Sequence, residues 1–251
     1  MARLILLGTS NAIPDEAHEN THMALVGAEG VVLIDCVSTP KVRLARVGIT
    51  LDSITDLILT HFHPDHVSGV PLLLMNMWLM GRQRPLRVYG LHHCLERVED
   101  MMGFYHWENW PEFFQVAFHR LPERERVLVL EKPEFRIYSS PVRHLVPTIG
   151  LRLEATSGER VIAYSCDTEP TPAVVRLASG AGVLLHESSG GSPGHSTPAQ
   201  AGTIATQAEV GRLMLIHYPA DGLDEAALLQ QARSTFQGDV GVAQDFQEFE
   251  L

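Results

Sequence analysis

The most constraining feature of this chain is the segment Thr60-His61-Phe62-His63-Pro64-Asp65-His66, which closes a short apolar run at 57–60. A run of that length, bounded by turn and polar residues, reads as a buried strand. Side chains at i and i+2 of an extended stretch point the same way, so His61 and His63 can grip one cation. Pro64 turns the chain, and beyond it Asp65 and His66 can face a second cation. Imidazole and carboxylate donors suit zinc, with manganese or iron as substitutes. One cluster cannot fill two coordination spheres, so further donors must come from other strand ends. His144 follows an apolar run at 135–138, Asp167 ends one at 161–165, and His217 ends one at 213–216. Each is a polar residue where a rigid element meets a loop. With the cluster they give a donor count that fits two divalent ions.

The rest of the chain reads as the scaffold for such a rim. Strands are predicted at 3–8, 23–26, 31–35, 57–60, 87–89, 127–130, 135–138, 149–155, 161–165, 183–186 and 213–217, with a hairpin turn at 27–30. Helices are predicted at 69–80, 91–102, 171–178, 197–209 and 224–235. Pro172 falls in the first turn of its helix, and Thr197 is the expected N-cap ahead of Pro198. No linker divides the chain and no sequence repeat is visible. The pattern fits one domain spanning 1–251, of the α/β class, with two sheets covered by helices in an αββα sandwich.

Composition narrows the function. The chain has 251 residues, a formal charge of −11, 45% hydrophobic and 20% charged residues. These values exclude a disordered chain. The apolar stretch 67–80 is broken by Pro71 and Asn76 and is too short to cross a bilayer. Leu4-Ile5-Leu6-Leu7 is shorter than a signal-peptide core, so no membrane or export role is expected. Cys36, Cys94 and Cys166 form no close pair, which fits a reducing cytoplasm. The acidic balance counts against a protein that lives on the nucleic-acid backbone. It does not exclude a nucleic-acid substrate, because bound cations add local positive charge.

The motifs, taken together, resemble the metallo-β-lactamase fold and, within it, the branch around ribonuclease Z. The signature His-x-His-x-Asp-His stands as His61, His63, Asp65 and His66. Gly8-Thr9-Ser10-Asn11-Ala12-Ile13-Pro14 matches the N-terminal motif, and His144 opens His-Leu-Val-Pro-Thr-Ile-Gly. Asp167-Thr168, Leu185-His186-Glu187-Ser188, Gly194-His195-Ser196-Thr197 and Leu215-Ile216-His217 follow in family order. The resemblance implies a first ion on His61, His63 and His144, a second on Asp65, His66 and His217, and Asp167 bridging both. It implies that Asp35 orients a ligating histidine. Asp65 would also hold the attacking water between the ions, and His195 would serve the leaving group. A homodimer is the implied assembly.

Three departures qualify the resemblance. Cys166 stands where the family has glycine, placing a thiol beside the metals. Cys36-Val37 follow Asp35 where glycine is usual. Asp167 follows His144 at a distance of only 23 residues, an interval that carries a long tRNA-gripping arm in tRNA-processing members. The expected reaction is therefore hydrolysis of a phosphodiester in a small molecule or short nucleic acid. Hydrolysis of a lactone or aryl sulfate on the same ions is the nearest rival, followed by tRNA 3′-end cleavage. A non-catalytic metal-binding module is least favoured, since no donor position is lost.

Some features carry no assigned chemistry. Phe104, Tyr105, Trp107, Trp110, Phe113, Phe114 and Phe118 crowd one segment. They read either as an irregular helix buried on the core or as a lid or subunit contact. His186 reads as a buried neighbour of the site. His18 and His22 flank the loop 14–20 and read as surface histidines.

Overall fold

A computed structural model describes residues 1–251. In chain order its strands are β1 (Arg3–Gly8), β2 (His22–Gly27), β3 (Gly30–Ile34), β4 (Ile54–Ile58), β5 (Leu86–Leu91), β6 (Val116–Leu121), β7 (Val127–Glu131), β8 (Phe135–Val142), β9 (Thr148–Ala155), β10 (Val161–Tyr164), β11 (Val183–Glu187), β12 (Arg212–Ile216), β13 (Asp239–Val242) and β14 (Glu248–Glu250). Its helices are α1 (Pro40–Arg46), α2 (Pro64–Val67), α3 (Val70–Leu79), α4 (His92–Gly103), α5 (Pro172–Ala178), α6 (Pro198–Gln207) and α7 (Glu225–Arg233).

The strands form two seven-stranded sheets, ordered β14-β1-β2-β3-β4-β5-β6 and β13-β12-β11-β10-β9-β8-β7. Each half begins as an antiparallel meander, β1 to β3 and β7 to β10. Each then continues in parallel, β3 to β6 and β10 to β13. Parallel neighbours need a crossover, and the helices supply one at every step. The layout thus recurs in both halves although the sequence does not. β14 returns the C-terminus to β1, where Phe249 pairs with Leu4.

Period-2 alternation assigns each side chain to a layer. In β1, Leu4 and Leu6 join the core between the sheets, where they meet side chains such as Leu151, Tyr164 and Met214 of the other sheet. Ile5 and Leu7 point the other way, into a second core with Leu44 of α1, Leu73 and Met77 of α3 and Leu95 of α4. In β12, Met214 and Ile216 face the inter-sheet core, while Leu213 and Leu215 pack with Ala201 and Ala205 of α6. Strands covered on both faces need apolar residues at nearly every position, which is why they read as continuous apolar runs. Three cores separate four layers, the αββα arrangement expected. The expected cap on α6 is present as a full capping box: Thr197 Oγ1 accepts from Gln200 N–H at 3.2 Å, and Gln200 Oε1 accepts from Thr197 N–H at 2.8 Å. A cap of this kind stabilises a helix by about 1 kcal/mol.

The elements that escape the sequence reading are those with weak patterns. α1 buries only Pro40 and Leu44. β6 is an edge strand with no fully buried residue, and β14 has three residues with only Phe249 inward. β13 also goes unread. The aromatic segment is not a helix. A single 3₁₀ turn at Trp107–Asn109 precedes β6. Trp107, Trp110, Phe113 and Phe118 pack against the outer core of the first sheet, and Phe114 is buried within it. Trp110 stacks on Trp78 with ring centroids 4.9 Å apart. His22 corrects another expectation, for it is fully buried in β2 rather than on the surface.

Candidate active site

The parallel strands aim their carboxyl ends at one rim, the usual place for ligands in an open α/β sheet. Asp35 follows β3, residues 60–66 follow β4, Asp167 follows β10, Glu187 ends β11 and His217 follows β12. His144 reaches the same rim from the loop after β8. Within the cluster, His63 is extended at φ −113° and ψ 153°, and Pro64 starts α2. His63 therefore sits on extended backbone, while Asp65 and His66 ride on the first helical turn. Asp35, Cys166 and His217 adopt left-handed backbone, with φ of 60°, 53° and 52°. Such residues cost about 1–3 kcal/mol each and persist where the surroundings hold them. A left-handed position is where glycine is expected, and here Cys166 occupies it.

The seven predicted donors converge. His63 Nδ1 lies 3.0 Å from His61 Nε2 and 3.1 Å from His144 Nε2. Asp65, His66, Asp167 and His217 form the adjoining group. Asp167 Oδ2 stands between the two, 3.1 Å from His217 Nε2, 3.5 Å from His66 Nε2, 3.8 Å from His144 Nε2 and 3.9 Å from His61 Nε2.

The surrounding hydrogen bonds turn lone pairs inward. His144 Nδ1–H donates to Gly194 O at 2.7 Å, and His66 Nδ1–H donates to Asp35 Oδ2 at 2.8 Å. His61 Nδ1–H donates to Thr60 Oγ1 at 3.1 Å. Each bond fixes the ring so that Nε2 is directed at the cluster, and leaves Nε2 of the neutral His61 and His144 unprotonated. His66 Nε2 and Asp167 Oδ1 are buried with no hydrogen-bond partner. Buried polar atoms are rarely left so, and nitrogen and carboxylate donors of this kind fit divalent cations.

Electrostatics agree with that fit. Burial pushes His61 well below the usual histidine range, and lowers His63 and His144 as well. These imidazoles are neutral donors. Burial also acts to lower His66, but the Asp167 and Asp35 carboxylates overcome it and hold His66 well above the usual range. Burial acts to raise Asp167, and His217 and His66 overcome it, so Asp167 stays ionised. Without a cation the carboxylates therefore draw a proton onto His66, a positive charge that a cation replaces. Burial pushes the Cys166 thiol well up, so it is neutral, with Sγ 3.7 Å from His61 Nδ1.

His195 lies beside the cluster, its ring 4.9 Å from that of His144. Its Nδ1–H donates to Glu187 Oε1 at 3.2 Å, and this bond raises its pKa above the usual histidine value. Glu187 is fully buried and also accepts from the N–H groups of Thr168 at 3.1 Å, Ser196 at 2.9 Å and Ser189 at 2.9 Å. Sequence reading gave Glu187 no role. The available signal was its place as a carboxylate ending an apolar strand. His186, one residue earlier, is buried and outside the cluster, its Nδ1–H bonded to Glu187 O at 2.8 Å.

A cavity of about 190 Å³ opens onto these groups, lined by His63, Asp65, Asp167, His195 and His217 with Asn11, Ala12, Ser189 and Ser192. The N-terminal motif supplies Asn11 and Ala12. That loop is tied to the rim by His217 N–H on Thr9 O at 2.7 Å and Asn11 N–H on Tyr218 O at 3.0 Å. Gly8 lets the start of the loop pack against the backbone of 19–20, since a Cβ there would stand 2.1 Å from Asn20 O.

A two-sheet sandwich with clustered histidines and aspartates at one rim defines a class. Residues 31–218 match the Beta-lactamase superfamily domain. Ribonuclease Z from Mycolicibacterium gilvum is 31% identical over 247 residues, covering 87% of this chain and 84% of the relative. Ribonuclease Z from Methanothermobacter thermautotrophicus is 28% identical over 296 residues, covering 94% and 92%. The solved YhfI from Bacillus subtilis, a metallo-beta-lactamase fold protein, superposes with a TM-score of 0.83 at 20% identity, covering 100% of this chain and 99% of the other. The chain belongs to the beta-lactamase superfamily, in its ribonuclease Z-like branch. The alignment of 296 positions exceeds the 251 residues of the chain, so that relative carries segments absent here. Between His144 and Asp167 the chain builds only β9, a turn and β10, with Ala155 N–H bonded to Arg160 O at 2.9 Å.

Proposed function

We propose that this protein is a metal-dependent hydrolase of phosphodiester bonds. The observation that carries the reading is the convergence of the seven donors around Asp167 Oδ2, with His66 Nε2 and Asp167 Oδ1 buried and without a hydrogen bond. His61, His63 and His144 would hold one divalent ion, and Asp65, His66 and His217 the other, with Asp167 shared. Zinc suits this donor set best. Bound there, the ions supply a water nucleophile at neutral pH and offset charge on the phosphoryl oxygens.

The chain's own groups do the rest. Asp65, mostly buried at the mouth of the cavity, orients the attacking water by accepting a hydrogen bond from it. His195 donates a proton to the oxygen leaving phosphorus. The Glu187 carboxylate holds His195 by Nδ1, which keeps Nε2–H for the leaving oxygen and favours the charged form. The short β9–β10 turn in place of an arm disfavours tRNA as the natural substrate.

Three buried, unpaired cysteines support a reducing cytoplasm, and no helix is long and apolar enough to cross a membrane. The three shared cores support one domain over 1–251. A homodimer is the assembly the resemblance implies, tested by light scattering. The deciding experiment is elemental analysis of purified protein with a screen of bis-p-nitrophenyl phosphate, a lactone, an aryl sulfate and precursor tRNA. About two equivalents of metal and turnover of the phosphodiester are expected. Preferred turnover of the lactone or sulfate would overturn the reading.

A further inference from the structure

His195 stands between two cavities. It lines the one described above, and with Ser192 it also lines a second cleft of about 480 Å³ bounded by Glu169, Pro170, Pro193 and Gln200. If His195 protonates the leaving oxygen, the departing group extends past it into this cleft.

The cleft is lined by hydrogen-bonding side chains and no aliphatic one beyond proline. No Phe, Tyr or Trp ring lines it, so it lacks the broad stacking surface that contributes about 1–3 kcal/mol per nucleobase. A second phosphate would meet the Glu169 carboxylate, while Arg143, 3.9 Å from Glu169 Oε2, does not line the cleft. Glu169 is fixed two residues beyond Asp167. Its N–H donates to Arg143 O at 2.8 Å, and its Oε1 accepts from Gly194 N–H at 3.0 Å. Oε2 is left to accept from a ligand. Gln200 Oε1 is taken by Thr197 N–H at 2.8 Å, which leaves its NH₂ group to donate. The Ser192 hydroxyl can do both. A fixed acceptor, a fixed donor and a hydroxyl match adjacent alcohol groups.

We propose that Glu169, Ser192 and Gln200 form a leaving-group subsite that selects phosphodiesters whose departing alcohol is a polyol, such as a sugar. This rests on the phosphodiesterase reading and on His195 as proton donor. In the step, water oxygen bonds to phosphorus and loses a proton through Asp65 to solvent, and the bond from phosphorus to the polyol oxygen breaks. The electron pair stays on that oxygen, and His195 supplies its proton.

The test uses the metal-loaded protein and two diesters of adenosine 5′-monophosphate, one with glycerol and one with n-propanol, with bis-p-nitrophenyl phosphate alongside. Release of adenosine monophosphate is followed by chromatography. The glyceryl diester is expected to exceed the propyl diester in kcat/KM by about tenfold, the worth of one hydrogen bond. Glu169→Gln keeps the Gly194 contact through Oε1 and is expected to bring that ratio near one, mainly through KM. Equal rates on the two diesters in the parent, or an unchanged ratio in Glu169→Gln, overturn the subsite while leaving the phosphodiesterase reading intact. No hydrolysis of any of the three overturns both.

Discussion

The Asp35 carboxylate orients His66 directly and His61 through one intermediary. His66 Nδ1–H donates to Asp35 Oδ2 at 2.8 Å, while Thr60 Oγ1, which accepts from His61, donates to the same carboxylate at 2.8 Å. Thr60 N–H binds Oδ1 at 2.8 Å, so a single buried residue fixes two imidazoles and the backbone between β4 and the cluster.

Asp35→Asn places an amide NH₂ against at least one of these donors. Metal affinity is expected to fall about 10–100-fold, as when a carboxylate behind a ligating histidine is lost. Competition with a chromogenic chelator measures it. Parent affinity in the variant would show that Asp35 only shapes the backbone.

Asp167→Ala and His195→Ala are expected to separate binding from turnover. Asp167 touches both donor groups, so its loss should remove metal and activity together. His195→Ala should retain metal by elemental analysis and lose about 10²–10⁴ in kcat. Because the Glu187 contact raises His195, activity in the parent should fall as pH rises through that elevated value. Turnover at the parent rate in His195→Ala would remove its assignment.

His22 gives a stability prediction away from the site. Burial lowers its pKa to about 4. An unfolded histidine titrates near 6.5, so between these values the unfolded chain binds the proton and the folded one does not. The stabilisation is complete above about pH 6.5 and is lost as pH falls toward 4, by about 3 kcal/mol in all. Urea unfolding across this window should show the loss, and His22→Gln should flatten it. An equally steep loss in the variant would assign the effect to other groups.

Trp110→Ala removes the stack on Trp78 and the edge contact with Phe113, whose centroid is 5.4 Å away. A loss of about 2–4 kcal/mol is expected by chemical denaturation, with kcat/KM unchanged. A changed KM at unaltered stability would instead favour the lid.

How much of this was legible follows from what each feature depends on. The segment 60–66 is local, so two histidines pointing the same way and a turn at Pro64 could be read from seven residues, while the short helix α2 that carries Asp65 and His66 was not read. His144, Asp167 and His217 were legible only as polar ends of apolar runs, and the family resemblance grouped them. Glu187 was missed because its role depends on four donors from three separate segments, which no spacing encodes. His22 was misplaced because a histidine beside a loop gives no sign that it will open β2 opposite Gly8 and be buried there. The aromatic segment stayed ambiguous because aromatic content does not specify which face is covered.

The rim donors do not hang on one layer. Those at 61–66 extend from β4 of the first sheet, while His144, Asp167 and His217 extend from β8, β10 and β12 of the second. Cations seated among them would rivet the two leaves of the sandwich along one edge. Chelation would therefore do more than silence the chemistry: it would unpin the halves, and heat would part them sooner.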